Sequence, residues 1–454
     1  MPQGILLICL ASHEAGQIYN RTLMADTHSL ADHLQRAALA MPQATAVCWA
    51  ESRFGYAEWL DHAERLAGQI DTAEMPVIRA GDSLQTAGFA AACSLVKKPF
   101  FAFQAKKPAD PGASRCFYGR SIGPLPPDTA LIVSTSGSEG EPRAVLLGNA
   151  QLDAAAAGAN ARLGLRAGDL WLNCLPLQHI GGLSILWRCA RAGAGVLLHD
   201  GFDADRVASD LAVQAVTHIS LVPAMLDRLL AIGARPPASL RVALIGGAAL
   251  SRQLYDKAGA AGWPLFVSYG MSETAALIAA HAPDDGPWHE GLAGRPLPGH
   301  EIRIDEDGRI RIRGPQVMLG YADGSGVDGA GWLTTGDLGA IDADGRLSVL
   351  GRADDMLISG GCNVHPQEVE ACLATCPGVD DVAVTGLPDP VWGDVVVALV
   401  VGPVEPADLF EHARRHLPTA AQPRRFHRLD QLPRNATGKL DRPALRQIAN
   451  RSRG

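Results

Sequence analysis

From residue 149 to residue 268, helix-patterned stretches alternate with short apolar runs. That alternation restricts the fold more than any other feature of the chain. Helices are expected at 149–161, 203–214, 223–230 and 251–262, and strands at 170–174, 195–198, 217–222, 242–245 and 265–268. Apolar runs this short, separated by helices, belong in parallel sheets whose two faces are covered. The expected fold class is α/β: a large N-terminal domain of mostly parallel sheets covered by helices. Upstream, Ser29 is placed to cap a helix carrying Leu30, Leu34 and Ala38, and a strand follows at 45–50. A second helix is expected at 56–70, with Trp59, Leu60, Ala63, Leu66 and Ala67 on one face. The stretch 106–127, rich in Pro, Gly and charge, reads as an irregular connection.

The period shortens to two at 301–313 and 339–350, with Asp307-Gly308 and Asp344-Gly345 as turns. These are hairpin signals, expected to form a small β-barrel-like region. Beyond Gly351 a helix should start near Pro366. Strands are expected at 382–384 and 395–401 and another helix at 406–416, the pattern of a small mobile α+β C-terminal domain. The expected division is 1–351 and 352–454.

With 454 residues, 47% hydrophobic and 19% charged, the chain is long and apolar enough for two or three domains. A net charge of -8 gives no reason to expect nucleic acid or an anionic membrane as partner. Nine scattered cysteines suggest reduced thiols and a cytoplasmic setting. Cys372 and Cys376 are the closest pair, with no metal-ligand partners near them in sequence. The apolar run 5–10 lacks a basic flank and is too short to span a membrane, and the start is read as either Met1 or Met24.

Five motifs carry the chemistry. Residues 131–145 read L-I-V-S-T-S-G-S-E-G-E-P-R-A-V, a β-branched run ending in hydroxyls and glycines. Glycine lets backbone N–H groups approach an anion closely, and Ser134, Thr135, Ser136 and Ser138 add donors, so this is a loop able to wrap a phosphate chain. No Gly-Lys-[Ser/Thr] closes it, so it is not a Walker A loop. The other four are S-Y-G-M-S-E at 268–273, G-W-L-T-T-G-D at 331–337, G-R-A-D-D-M-L-I-S-G-G-C-N-V at 351–364 and P-R-N-A-T-G-K-L-D-R at 433–442.

In this order the five resemble the signature set of the adenylate-forming superfamily: acyl-CoA synthetases, carrier-protein adenylation domains and luciferases. The resemblance covers about 131–442 and implies an AMP-forming acid–thiol ligase. Such an enzyme joins a carboxylate to the α-phosphate of ATP, then passes the acyl group to a thiol. Cations and donors held where negative charge develops lower that barrier. The resemblance implies ATP, Mg²⁺ and coenzyme A. It assigns the phosphates to Ser134, Thr135, Ser136, Gly137, Ser138, Gly140 and Arg143. Glu273 would hold Mg²⁺, an oxygen ligand for a hard cation, and Ser272 would face the phosphate. Tyr269, next to Gly270, would stack on adenine. Asp337 would accept the ribose hydroxyls, and Arg352 would reach the ribose or phosphates. Lys439 would bridge carboxylate and α-phosphate during adenylation. A hinge at Asp354 would then swing Ser359, Gly360 and Gly361 to the coenzyme A channel.

Residues 175–188 read L-P-L-Q-H-I-G-G-L-S-I-L-W-R. With Gly246-Gly247-Ala248-Ala249 and the short chain, they look most like the o-succinylbenzoate–CoA ligases of menaquinone biosynthesis. That likeness puts His179 at the acyl pocket, Gly246 and Gly247 on its flat wall, and Arg188 near a second carboxylate of the substrate. It implies o-succinylbenzoate or another aromatic acid. The chain departs from the pattern at Glu139 (Thr in the family), Arg143 (Lys), Ala144 (often Gly), and at Gly181 and near Leu277, where a hydroxyl residue is common. Two other readings stay open: an adenylation enzyme loading a carrier protein, and a degenerate nucleotide-binding relative.

Overall fold

The computed structural model describes residues 28–70, 77–79, 81–103, 116–117, 120–121, 125–135, 143–434 and 440–451. Its largest element is a sheet of thirteen strands. A parallel block runs in the order Thr45–Trp49, Gly195–Leu198, Leu170–Asn173, His218–Leu221, Val242–Ile245, Leu265–Met271. Neighbouring residues on these strands feed opposite cores. Trp171, Val242 and Leu244 pack on one face, and Leu172, Ala243 and Ile245 on the other. That is the period of two expected of strands covered on both sides.

The expected elements form with their ends trimmed. Ser29 caps Leu30–Ala40 in a capping box with Asp32, and the 149–161 helix runs Asn149–Leu163. Two helices were not anticipated: Ser83–Leu95 and Ile180–Ala192. Of the stretch 106–127, the described part contains a small strand pair, Cys116–Phe117 with Arg120–Ser121. A second, five-stranded sheet holds Thr129–Thr135 and Arg143–Gly148, the strands on either side of the expected phosphate loop.

The hairpins do not close into a barrel among the described residues. Leu265–Met271 turns back as Ala276–His281, and Leu292–Pro296, Leu347–Arg352, Leu333–Ile341, Arg309–Arg313 and Glu301–Ile304 add on in antiparallel order. The barrel-like expectation is therefore corrected to an open extension of the main sheet. Local alternation defines each hairpin but not what its outer edge pairs with.

Past residue 356 the chain builds a separate sheet from Leu357–Ser359, Cys362–Val364, Asp381–Asp389, Gly393–Val401 and Arg425–Arg428. The strand Gly393–Val401 is apolar on both sides. Val396, Ala398 and Val400 pack with Val369, Leu373, Leu409 and Ala413 of two helices, and Val395, Val397 and Leu399 with Leu445 and Ala449 of a third. No helix of the described residues is long and apolar enough to cross a membrane.

Candidate active site

The C-terminal ends of the parallel strands gather most of the predicted residues, the edge where open α/β sheets bind ligands. Ser268, Tyr269 and Gly270 end Leu265–Met271. The strand carries a bulge between Tyr269 and Gly270. A Cβ at Gly270 would lie 1.8 Å from the Ala276 carbonyl oxygen, so only glycine fits. Ser272–Thr274 form a single 3₁₀ turn, tied by the Thr274 hydroxyl to Met271 and Ala276. The turn exits through Ala275 and Ala276, both at positive φ (50° and 88°), a strained conformation for residues with a Cβ. The turn fixes where Glu273 stands.

Glu273 is half-buried, and its Oε1 accepts from the Tyr321 hydroxyl at 2.8 Å. No arginine, lysine or histidine among the described residues pairs with it. A carboxylate with remaining lone pairs and no cation fits a Mg²⁺ ligand. Tyr321 was not singled out from the sequence; a lone Gly-Tyr pair carries little signal. It arrives because Gly320–Tyr321 pairs with Arg143–Gly148, opposite Val145. The same turn takes Arg143, whose guanidinium lies 3.4 Å over the Tyr321 ring and bonds to Asp323 and Ser325. Burial, then the charge of Glu273, pushes the Tyr321 phenol up, so it stays a donor.

Tyr269 donates to Asp337 Oδ2 at 2.7 Å, and Arg352 Nη1 reaches Asp337 Oδ1 at 3.3 Å. Asp337 and Arg352 face each other across the antiparallel pair, and Gly336 leaves the space the guanidinium fills. A carboxylate has about four lone-pair positions, so two remain on Asp337 for a diol. Burial, then Asp337, raises the Tyr269 phenol well above its usual range. Arg352 also donates to Asp354 at 2.9 Å, joining the expected ribose site to the expected hinge.

His179 is exposed at the N-cap of Ile180–Ala192, on this same edge. Gly246 and Gly247 end Val242–Ile245, and Leu277 pairs with Gly270. A Cβ at Gly246 would meet the Ser268 hydroxyl at 2.7 Å, which keeps that wall flat. Arg188 is nine residues past His179 in chain order, about 13 Å along the helix axis. It is 2% exposed, with its guanidinium 5.5 Å over Trp171, and its Nε has no hydrogen-bond partner. No carboxylate among the described residues pairs with it, and burial lowers its pKa to about 10. Arg188 is therefore not a helix-surface arginine. A sequence signal existed: Ile180–Ala190 is apolar on nearly every side, so its one arginine has no solvent-facing stripe to occupy.

Gly360 and Gly361 are the two central residues of the hairpin joining Leu357–Ser359 to Cys362–Val364, at φ 58° and 78°. Positive φ at both is the requirement of a type I′ turn, a structural reason for the pair beside close approach to a thiol arm. Ser136, Gly137, Ser138, Glu139, Gly140 and Lys439 lie outside the described residues. The chain around Lys439 is anchored on both sides. Arg434 bridges Leu440 and pairs with Asp381 at 2.7 Å, and Arg442 grips Glu370 at 2.6 Å and the Val384 carbonyl.

Comparison with known proteins finds both family matches and relatives of known structure. The AMP-binding enzyme family matches residues 90–322, and the AMP-binding enzyme C-terminal domain matches 368–439. A 2-succinylbenzoate–CoA ligase of Bacillus licheniformis is 40% identical over 333 residues, 70% of each chain. That of Bacillus subtilis is 38% identical over 335 residues, 70% of this chain and 68% of the relative. Among solved structures, o-succinylbenzoate CoA synthetase from Bacillus subtilis in complex with its acyl-adenylate is 30% identical. It has a TM-score of 0.79 and covers 91% of this chain and 97% of that one. The same enzyme with ATP and magnesium gives 0.80 at 30% identity, covering 91% and 98%.

Proposed function

The chain belongs to the AMP-binding enzyme family, and from that premise we propose that it is an ATP-dependent ligase joining o-succinylbenzoate to coenzyme A through an acyl-adenylate. The observation that carries the choice of acid is Arg188. An unpaired charge held away from water costs several kcal/mol, and a diacid offers the counter-ion: one carboxylate for activation, the second for Arg188. The relatives act on this diacid by name, and one of the matched structures holds its adenylate.

In this reading Asp337 takes the ribose hydroxyls and Tyr269 flanks the base, with its hydroxyl on Asp337. Glu273, steadied by Tyr321, holds the Mg²⁺, which neutralises phosphate charge when bound. Ser134, Thr135, Arg143 and the glycine-rich loop between them contact the phosphates, and Ser272 faces them. His179 borders the acid near the reacting carboxylate, with Gly246, Gly247 and Leu277 as the wall. Lys439 bridges carboxylate and α-phosphate. Residues 352–454 form the unit that turns about Asp354 and brings Gly360 and Gly361 to the thiol.

The test is pyrophosphate release with ATP, Mg²⁺ and coenzyme A across o-succinylbenzoate, benzoates, cinnamates and fatty acids. Only o-succinylbenzoate should give high kcat/KM, with AMP and the CoA thioester as products. A higher kcat/KM for a monoacid overturns the choice of acid. Pyrophosphate release without CoA consumption moves the acceptor to a carrier protein.

A further inference from the structure

In the C-terminal sheet region, the helices Pro366–Ala374 and Pro406–His416 meet at their C-terminal ends. There Cys372, His412 and His416 each offer a ligand atom, all within 4.8 Å of one another. Thirty-nine residues separate the cysteine from the first histidine, which is why the chain shows no metal motif; folding supplies what spacing does not. His412 and His416 are four residues apart on one helix and so share a face.

We propose that Cys372, His412 and His416 form a binding site for a borderline transition-metal dication, with Zn²⁺ as the fitting ion. One thiolate and two imidazoles are a donor set suited to Zn²⁺ rather than to Mg²⁺ or Ca²⁺, which choose oxygen. A tetrahedral Zn²⁺, with bonds of about 2.0–2.3 Å, needs ligand atoms about 3.5 Å apart. Closing from the observed spread takes roughly 1 Å, within reach of an exposed His416 side chain.

The surroundings already orient the rings. His412 Nε2 lies 3.1 Å from the Cys372 carbonyl oxygen, and His416 Nδ1 lies 2.9 Å from the His412 carbonyl oxygen. A carbonyl only accepts, so each of these nitrogens donates a proton, and the other nitrogen of each ring keeps its lone pair. Metal-binding histidines are commonly held this way. The Thr375 hydroxyl, 2.7 Å from the same Cys372 carbonyl and 2.9 Å from His412 Nε2, completes the support. The Asp408 carboxylate, one turn before His412 and beside Cys376, adds negative charge that favours a cation. Binding converts the Cys372 thiol to a thiolate, and its proton passes to solvent. Water takes the fourth position. The site lies apart from Glu273, so it does not depend on the ligase reading.

The experiment is titration of the full chain with Zn²⁺ and with Co²⁺, in a phosphine reductant and excess Mg²⁺. One equivalent should bind. Co²⁺ should give a thiolate charge-transfer band together with the visible bands of a tetrahedral site. His416→Ala, chosen because His416 is exposed, should weaken Zn²⁺ binding at least about tenfold, and Cys372→Ala should abolish the charge-transfer band. Zn²⁺ should raise the unfolding temperature of the parent chain and leave that of His416→Ala unchanged. Glu273→Gln should bind as the parent does. Affinity unchanged in both His416→Ala and Cys372→Ala, or Co²⁺ binding without a thiolate band, overturns the proposal.

Discussion

The two ends of the candidate site handle charge differently. At the nucleotide end, Asp337 has Tyr269 and Arg352, Glu273 has Tyr321, and Arg143 has Asp323, Ser325 and the Tyr321 ring. At the proposed acid end, Arg188 is buried over Trp171 with an orphaned Nε. A paired network is stable without ligand and serves to hold lone pairs in position. An unpaired buried charge is a liability until a ligand neutralises it. In the proposed reading, the paired contacts position the shared nucleotide and the unpaired Arg188 selects the acid.

Four predictions test that contrast. Arg188→Met should lower kcat/KM for o-succinylbenzoate by about 100-fold or more, the ~3 kcal/mol of a lost buried charge contact. The unfolding temperature should stay level or rise, because the variant removes an unpaired charge. If instead activity is retained and stability falls, Arg188 is a packing residue and the contrast fails. Asp337→Asn should raise KM for ATP by roughly 10- to 100-fold, from losing charged hydrogen bonds of about 1.5–3 kcal/mol. An unchanged KM for ATP would remove Asp337 from the ribose. Tyr321→Phe keeps the ring under Arg143 and deletes only the bond to Glu273. It should raise the Mg²⁺ concentration for half-maximal rate about fivefold, ~1 kcal/mol; an unaltered Mg²⁺ dependence would make that bond incidental.

The smallest effect is one of pH. His218 stacks on Trp171 at 5.1 Å, so that indole lies beside both His218 and Arg188. Burial is the main cause holding the His218 pKa below 6.5, against the Leu163 carbonyl and Asp169, which raise it. The unfolded chain therefore takes up this proton near 6.5 while the folded chain does not. The stability contributed by the neutral ring is present above 6.5 and is lost as pH falls through the lower folded value. His218→Gln should flatten the pH dependence of the unfolding temperature in that window. A slope that survives the substitution would assign it to other groups, of which His199 is another with a pKa lowered chiefly by burial.

Much of the architecture is legible in local pattern. The alternation from 149 to 268 gives the parallel block because each run is short and mostly apolar, and Asp307-Gly308 and Asp344-Gly345 mark turns because glycine there takes positive φ. The motifs at 268–273 and 331–337 point to Tyr269 and Asp337, which the fold joins by a hydrogen bond across 68 residues. What local pattern does not reach is pairing at a distance. The hairpins join the main sheet through Leu292–Pro296 instead of closing, Tyr321 meets Glu273 across 48 residues, and His412 meets the Cys372 carbonyl across 40. Those depend on strand order and helix docking, which no short window of sequence contains.

Arg352 divides one guanidinium between Asp337 and Asp354. The two bonds use separate N–H groups, Nη1 to Asp337 and Nη2 to Asp354, so one planar cation joins the two carboxylates, and any coupling it carries between them is reciprocal. A change that moves the guanidinium at Asp337 is therefore passed to Asp354, and a displacement at Asp354 is passed back to Asp337. In the proposed reading, a ligand on Asp337 and a rotation about Asp354 are thus linked through one side chain.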